Sequence, residues 1–173
     1  MASMSKENAS SSFSPSSSSI TPRRRYKYDV FVSFRGLDTR KNFTSHLYAA
    51  LERSGLTTFR DDENLERGAS ISPELLRAIE ESRFAVVILS SGYASSSWCL
   101  TELAKIVECM DQEKLTVLPV FYDVDPSDVR KLKGTFEDAA FAKHLKDNSG
   151  NIQKWKDAVT QVAGISGWDL RDL

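Results

Sequence analysis

Tyr28-Asp-Val-Phe-Val-Ser-Phe-Arg-Gly36 is the stretch that decides how this chain is read. Val30, Phe31, Val32 and Phe34 form a near-continuous apolar run, the pattern of a strand covered on both faces. It passes straight into Arg35-Gly36, where a buried strand gives way to a loop. Working outward, segments of strand character alternate with segments of helical spacing. Phe43, Leu47, Ala50 and Leu51 share a helical face, closed by Gly55 as a C-cap. Thr57-Thr58-Phe59 reads as a short second strand. Ser72 as N-cap, Pro73 at the first helical position and Glu74 in the first turn open a second helix, with Ile71, Leu75 and Ile79 on one side. Phe84 to Leu89 is a third strand, residues 97 to 113 a third helix, and Thr116 to Tyr122 a fourth strand. Asp125-Pro126 repeats the cap-then-proline start. Residues 135 to 164 read as one or two helices, and Gly167-Trp168-Asp169-Leu170 as a short edge strand. No internal repeat is visible. The alternation predicts an α/β domain with a central parallel sheet and helices on both faces.

Composition narrows the classes of function. The 173 residues give room for one ordinary domain plus a tail, with 40% hydrophobic and 27% charged residues. Twenty-three basic against 24 acidic residues leave a formal net charge of -1. That balance supplies no global field for nucleic acid or anionic lipid. No apolar run approaches the ~18 residues of a membrane span. Cys99 and Cys109 lie roughly 15 Å apart along one predicted helix, too far for a disulfide. Two unpaired thiols fit a reducing compartment, and with His46 and His144 they show none of the spacing of a zinc site. Residues 1 to 25 form a Ser-rich leader, with ten serines among the first 22 residues. Such a segment is expected to stay disordered. It has no apolar signal core, and Ala2 stands where myristoylation requires glycine. Its composition overlaps that of chloroplast transit peptides, although a plain flexible leader is the simpler reading.

In parallel-sheet folds ligands bind beyond the carboxyl ends of the strands. Arg35-Gly36, Asp61-Asp62, Ser90 to Ser97 and Asp123 to Asp125 are predicted to fall at that edge. Within Ser96-Ser-Trp-Cys-Leu-Thr-Glu-Leu103, Ser97 as N-cap would put Glu102 just past the first turn, with Trp98 four residues before it on the same face. A carboxylate desolvated against an indole could stabilise an oxocarbenium-like centre or orient an attacking group. The plainer reading is a glutamate complementing the helix macrodipole, and on the residues alone it prevails. Arg35 suits a pyrophosphate or simply braces a loop. Gly36 serves a positive φ, a close backbone approach or an ordinary strand-end turn. Trp98 is by default a core residue, and one face can pack while the other stacks on a base. The paired acids suggest a phospho-acceptor receiver, but the lysine such a domain needs after its last main strand is not evident.

Several segments in this order resemble the Toll/interleukin receptor (TIR) domain of plant immune receptors. They are Tyr28 to Gly36 with Asp38-Thr39-Arg40, Arg67-Gly68, Ala78-Ile79-Glu80 with Ser82, Trp98-Cys99-Leu100 with Glu102-Leu103, and Pro119 to Arg130. The resemblance covers residues 28 to about 170. It implies a flavodoxin-like three-layer fold over residues 26 to 173 and a self-associating domain that hydrolyses NAD+ to nicotinamide and ADP-ribose-type products. NAD+ would be substrate, with no tightly bound cofactor and no metal required. In that family the glutamate two residues after Cys-Leu is catalytic, here Glu102. Arg35, Gly36, Ser96 and Trp98 carry over as substrate-binding residues, which reverses the plainer reading of Glu102.

Other roles follow from the same resemblance. Arg67-Gly68 fall in the loop that closes over the site of a neighbouring copy. Ser45-His46, on the exposed side of the first helix, match the pair through which such domains associate. A homo-oligomer in the cytoplasm, with the nucleus as a second compartment and other TIR-containing receptors as further partners, is implied; membrane and specific nucleic acid are not. Two departures stand out. Leu37 replaces a residue usually acidic in the family. Plant members also carry another helix after the Gly-Trp segment, then a nucleotide-binding module and repeats, so the helical association surface is expected to be incomplete here. The alternative function is a non-enzymatic adaptor that signals only by docking.

Overall fold

In the computed structural model, residues 26–60 and 71–171 are described. The leader, Asp61-Asp62 and Arg67-Gly68 lie outside the described residues. Five parallel strands form one sheet in the order β2-β1-β3-β4-β5. They are β1 (Tyr28–Ser33), β2 (Thr58–Phe59), β3 (Ser82–Leu89), β4 (Thr116–Phe121) and β5 (Trp168–Asp169). β3 is the long central strand, pairing Val30↔Phe84 on one side and Val86↔Leu118 on the other. The predicted α/β fold with a central parallel sheet is the fold observed.

Period-two alternation sorts the side chains of each strand between two cores. Phe31, Ala85, Val87, Leu89, Val117 and Phe121 join the larger core, covered by α3 (Pro73–Glu80), α4 (Ser97–Asp111) and α8 (Ile152–Ala163). Val30, Val32, Val86, Ile88 and Val120 form the smaller one, packed by Phe43, Leu47, Tyr48 and Leu51 of α2 (Phe43–Arg53). Burial on both faces is why β1 and β3 read as unbroken apolar runs. Gly55 has φ +76, the left-handed residue just past α2. Ser72 Oγ accepts from the Glu74 amide at 3.2 Å, and Asp125 Oδ1 from the Ser127 amide at 2.8 Å. Both cap-then-proline starts therefore form, at α3 and at α5 (Pro126–Arg130).

Three details differ from the sequence reading. The loop after β1 contains a one-turn helix, α1 (Gly36–Thr39). α4 is capped by Ser96, whose Oγ accepts from the Cys99 amide at 3.2 Å, so Ser97 is already helical and the cap lies one residue earlier than expected. Between α5 and β5 the chain forms α6 (Asp138–Ala142), α7 (Leu145–Asn148) and α8, broken by 3₁₀ turns, where one or two helices were expected. At each restart the N-cap side chain makes no capping hydrogen bond, so local caps do not set these boundaries.

Candidate active site

The carboxyl edge of the sheet gathers three segments: the end of β1 with α1, the 3₁₀ turn Tyr93–Ser95 after β3, and the first turns of α4. Glu102 lies among them, only 7% exposed. α4 is buried along Cys99, Leu100, Leu103, Ile106 and Val107, and Glu102 lies on the part of this face that reaches the strand ends. Its carboxylate is not left bare. Ser33 Oγ donates to Glu102 Oε2 at 2.7 Å, and Ser33 Oγ lies 2.8 Å from the Tyr93 hydroxyl. That hydroxyl also donates to the Cys99 carbonyl at 3.2 Å. Ser33 and Tyr93 are fully buried. Burial first, then the charges of Cys99 and Glu102, pushes the Tyr93 phenol well above its ordinary value.

Glu102 also lines a narrow cleft with Phe31, Val32, Phe34, Tyr48, Phe59 and Leu75. The cleft is tight, with a volume of about 10 Å³, room for about one water. Its walls are mostly aromatic, with a single carboxylate among them. Trp98, four residues before Glu102 on α4, does not line this cleft. It packs instead against the larger core, half-buried, and its Nε1 is buried without a partner among the described residues.

Arg35 and Gly36 belong to a second cluster at the same edge. Arg35 Nη1 donates to Asp38 Oδ1 at 3.3 Å. Asp38 Oδ2 accepts from Ser90 Oγ at 2.6 Å and from the Gly92 amide at 3.0 Å. The carboxylate thus ties α1 to the loop after β3, and Arg35 lies along that tie. A Cβ on Gly92 would come 1.9 Å from Arg35 Nη1, so only glycine leaves the guanidinium its place. Arg35 Nε is buried with no partner among the described residues. A Cβ on Gly36 would meet the Arg40 guanidinium, the far end of a flexible side chain, at 2.9 Å. Arg40 in turn stacks 5.6 Å from the Phe34 ring centroid, linking this cluster to the wall of the Glu102 cleft. Leu37 points outward, 77% exposed, and touches none of this.

Ser96, at the α4 N-cap, commits its oxygen to the helix. Ser45 and His46 are exposed on α2, away from both cores. Cys99 and Cys109 are buried, and Cys99 Sγ donates to the Phe34 carbonyl at 3.5 Å. Among the described residues no group of three His, Cys, Asp or Glu is placed to hold a metal. Reading the sequence singled out neither Ser33 nor Tyr93. The signal available was a hydroxyl inside a run otherwise apolar on both faces, where a lone serine needs a buried partner.

Fold and site together define a flavodoxin-like α/β domain with one buried glutamate at the carboxyl edge of its sheet. The TIR domain family model matches residues 27–173, and the chain belongs to the TIR domain family. Disease resistance protein RPV1 of Vitis rotundifolia is 54% identical over 166 residues, covering 95% of this chain and 12% of that protein. TMV resistance protein N of Nicotiana glutinosa is 54% identical over 152 residues, covering 86% and 13%. The chain therefore spans about an eighth of the length of these curated relatives. Among solved structures, the TIR domains of the activated Roq1 resistosome, described as directly recognizing the pathogen effector XopQ, match at 54% identity. That match has a TM-score of 0.75 and covers 84% of this chain and 89% of the other.

Proposed function

We propose that this chain is an immune-signalling domain that self-associates and hydrolyses NAD+ to nicotinamide and an ADP-ribose-type product. The observation that carries the reading is Glu102: a buried carboxylate, hydrogen-bonded at 2.7 Å and lining an aromatic cleft at the ligand-binding edge of the sheet. A glutamate that only complemented a macrodipole would face water.

The chemistry asks for little more. Nicotinamide leaves NAD+ from a pyridinium, so the electron pair of the breaking C–N bond neutralises the leaving group and no general acid is needed. Positive charge gathers on the ribose as the bond opens. One carboxylate beside the anomeric carbon stabilises that charge or orients the attacking water, whose proton passes to solvent. This differs from ordinary glycoside hydrolysis, where a second carboxyl group must protonate the leaving oxygen. The Phe34, Tyr48 and Phe59 rings offer apolar faces for a planar ring. Arg35, with Gly36 beside Arg40, would hold the pyrophosphate, and Ser96 and Trp98 would flank the substrate at the head of α4. NAD+ is a substrate here, not a resident cofactor.

A cleft of about 10 Å³ is far below the ~300–1,000 Å³ usual for ligand sites, so a dinucleotide needs the site enlarged or completed. Self-association would supply this, with Ser45 and His46 at one contact and Arg67-Gly68 closing over a neighbour's site. The resistosome context of the Roq1 TIR domains supports the assembly part of the reading. The same narrowness favours the second reading, an adaptor that signals only by docking. Chromatography of products over a range of protein concentrations separates the two. The enzyme reading expects nicotinamide and ADP-ribose-type product in equal amounts, with specific activity rising with concentration and reduced by Ser45→Glu with His46→Glu. Undiminished NAD+ at every concentration would leave the adaptor.

A further inference from the structure

The hydroxyls of Ser33 and Tyr93 are more than filler beneath Glu102. Each lies on a different element: Ser33 ends β1, Tyr93 opens the turn after β3, and Glu102 and the Cys99 carbonyl belong to α4. Four oxygens are linked in a row, Glu102 Oε2, Ser33 Oγ, Tyr93 Oη and Cys99 O, by contacts of 2.7, 2.8 and 3.2 Å. The two hydroxyls bring two protons to three contacts. With Glu102 ionised, Ser33 donates to it. Tyr93 then shares its one proton between Ser33 Oγ and the Cys99 carbonyl. With a proton on Glu102 Oε2, Glu102 donates to Ser33 and Ser33 to Tyr93, Tyr93 gives its proton to the Cys99 carbonyl, and all three contacts are filled. The row therefore accommodates both forms of the carboxyl group without moving a heavy atom, and in either form Ser33 fixes where Oε2 points.

We propose that Ser33 is the positioning residue of the Glu102 carboxylate and that Tyr93, anchored on the Cys99 carbonyl, holds Ser33 in the required rotamer. The inference rests on Glu102 being the group that acts on NAD+. Burial favours it: Ser33 and Tyr93 have no water to replace a lost partner, and hydrogen bonds in a row reinforce one another. Ser33 shares the face of β1 that carries Phe31, the side covered by α4. A one-residue change of register would aim it away.

The test uses the whole chain, with steady-state NAD+ cleavage and thermal melting measured on each variant. Tyr93→Phe keeps the ring and removes only the hydroxyl; Ser33→Ala removes the donor; Ser33→Thr keeps a hydroxyl on a strand that accepts β-branching. Loss of one charge-assisted bond predicts kcat lowered about 10- to 100-fold in Ser33→Ala, KM within about twofold, a smaller fall in Tyr93→Phe, and recovery in Ser33→Thr. Folded Ser33→Ala and Tyr93→Phe with native kcat, whatever their melting temperature, would overturn the inference and leave the row as structural cement. Should Ser33→Ala not fold, Tyr93→Phe with native kcat overturns it alone. No cleavage by the native chain would overturn the enzymatic reading and this inference together; cleavage lost in Glu102→Gln but kept in both hydroxyl variants overturns only this one.

Discussion

At the scale of single residues, two polar clusters stand at the carboxyl edge of the sheet. One is the row ending on Glu102, the other the Asp38 tie. Asp38 takes three hydrogen bonds, from Arg35, Ser90 and the Gly92 amide. Asp38→Ala leaves those donors without their acceptor in a half-buried site and is expected to cost about 2–3 kcal/mol, read from the urea midpoint; a loss near zero would contradict the tie. Tyr93 gives a prediction in pH. The folded chain holds the phenolic proton more tightly than the unfolded chain, because burial raises its pKa well above 10.0. Its contribution is whole below pH 10 and is lost as the pH rises above that value. Unfolding free energy should therefore fall more steeply above pH 10 in the native chain than in Tyr93→Phe. Parallel slopes would refute this. Arg35, Gly36, Trp98 and Glu102 stood out in the sequence because each occupies a marked position beside a strand end or helix start. Ser33 and Tyr93 did not. Their partners lie 69 and 60 residues away in the chain, and no local pattern reports a bond between segments so distant.

At the scale of elements, α4 carries the site, and its N-terminus sets where Glu102 falls. Ser96→Ala removes the cap and should lower stability by about 1 kcal/mol, with Ser96→Asn recovering most of it; an unchanged melting curve would mean that the helix start is held by packing alone. Sequence placed this cap one residue late because three serines precede Trp98 and any of them can cap. Only the Cys99 amide, by bonding Ser96, selects one. β5 gives a second case. Gly167 lies so close to β4 that a Cβ would come 2.2 Å from the Pro119 carbonyl, a backbone atom that cannot turn aside. Gly167→Ala should displace the edge strand and cost about 1–3 kcal/mol, with amide exchange faster at Trp168 and Leu170; protection left intact would contradict the close approach. The apolar runs of β1, β3 and β4 and the two Pro-started helices were legible because each is a local signal. The broken helices between Gly134 and Ala163 were not, since packing rather than capping residues sets their ends.

At the scale of the whole molecule, the sheet is covered unequally. Among the described residues, α3, α4 and α8 bury one face, while α2 covers the other beside half-buried Phe84, Leu118, Tyr122 and Leu170. The site opens at the carboxyl edge between these layers, too narrow by itself for a dinucleotide, and α2 presents Ser45 and His46 outward. The residues proposed for catalysis and for association thus fall on neighbouring surfaces of one small domain. The central claim is that Glu102 acts on NAD+, and one measurement meets it most directly: nicotinamide released from NAD+ by the concentrated native chain, beside Glu102→Gln, with both melting curves recorded. The account predicts release by the native chain and at least about a 100-fold loss in a Glu102→Gln variant that still folds. Equal release by both, or none by either, would contradict it.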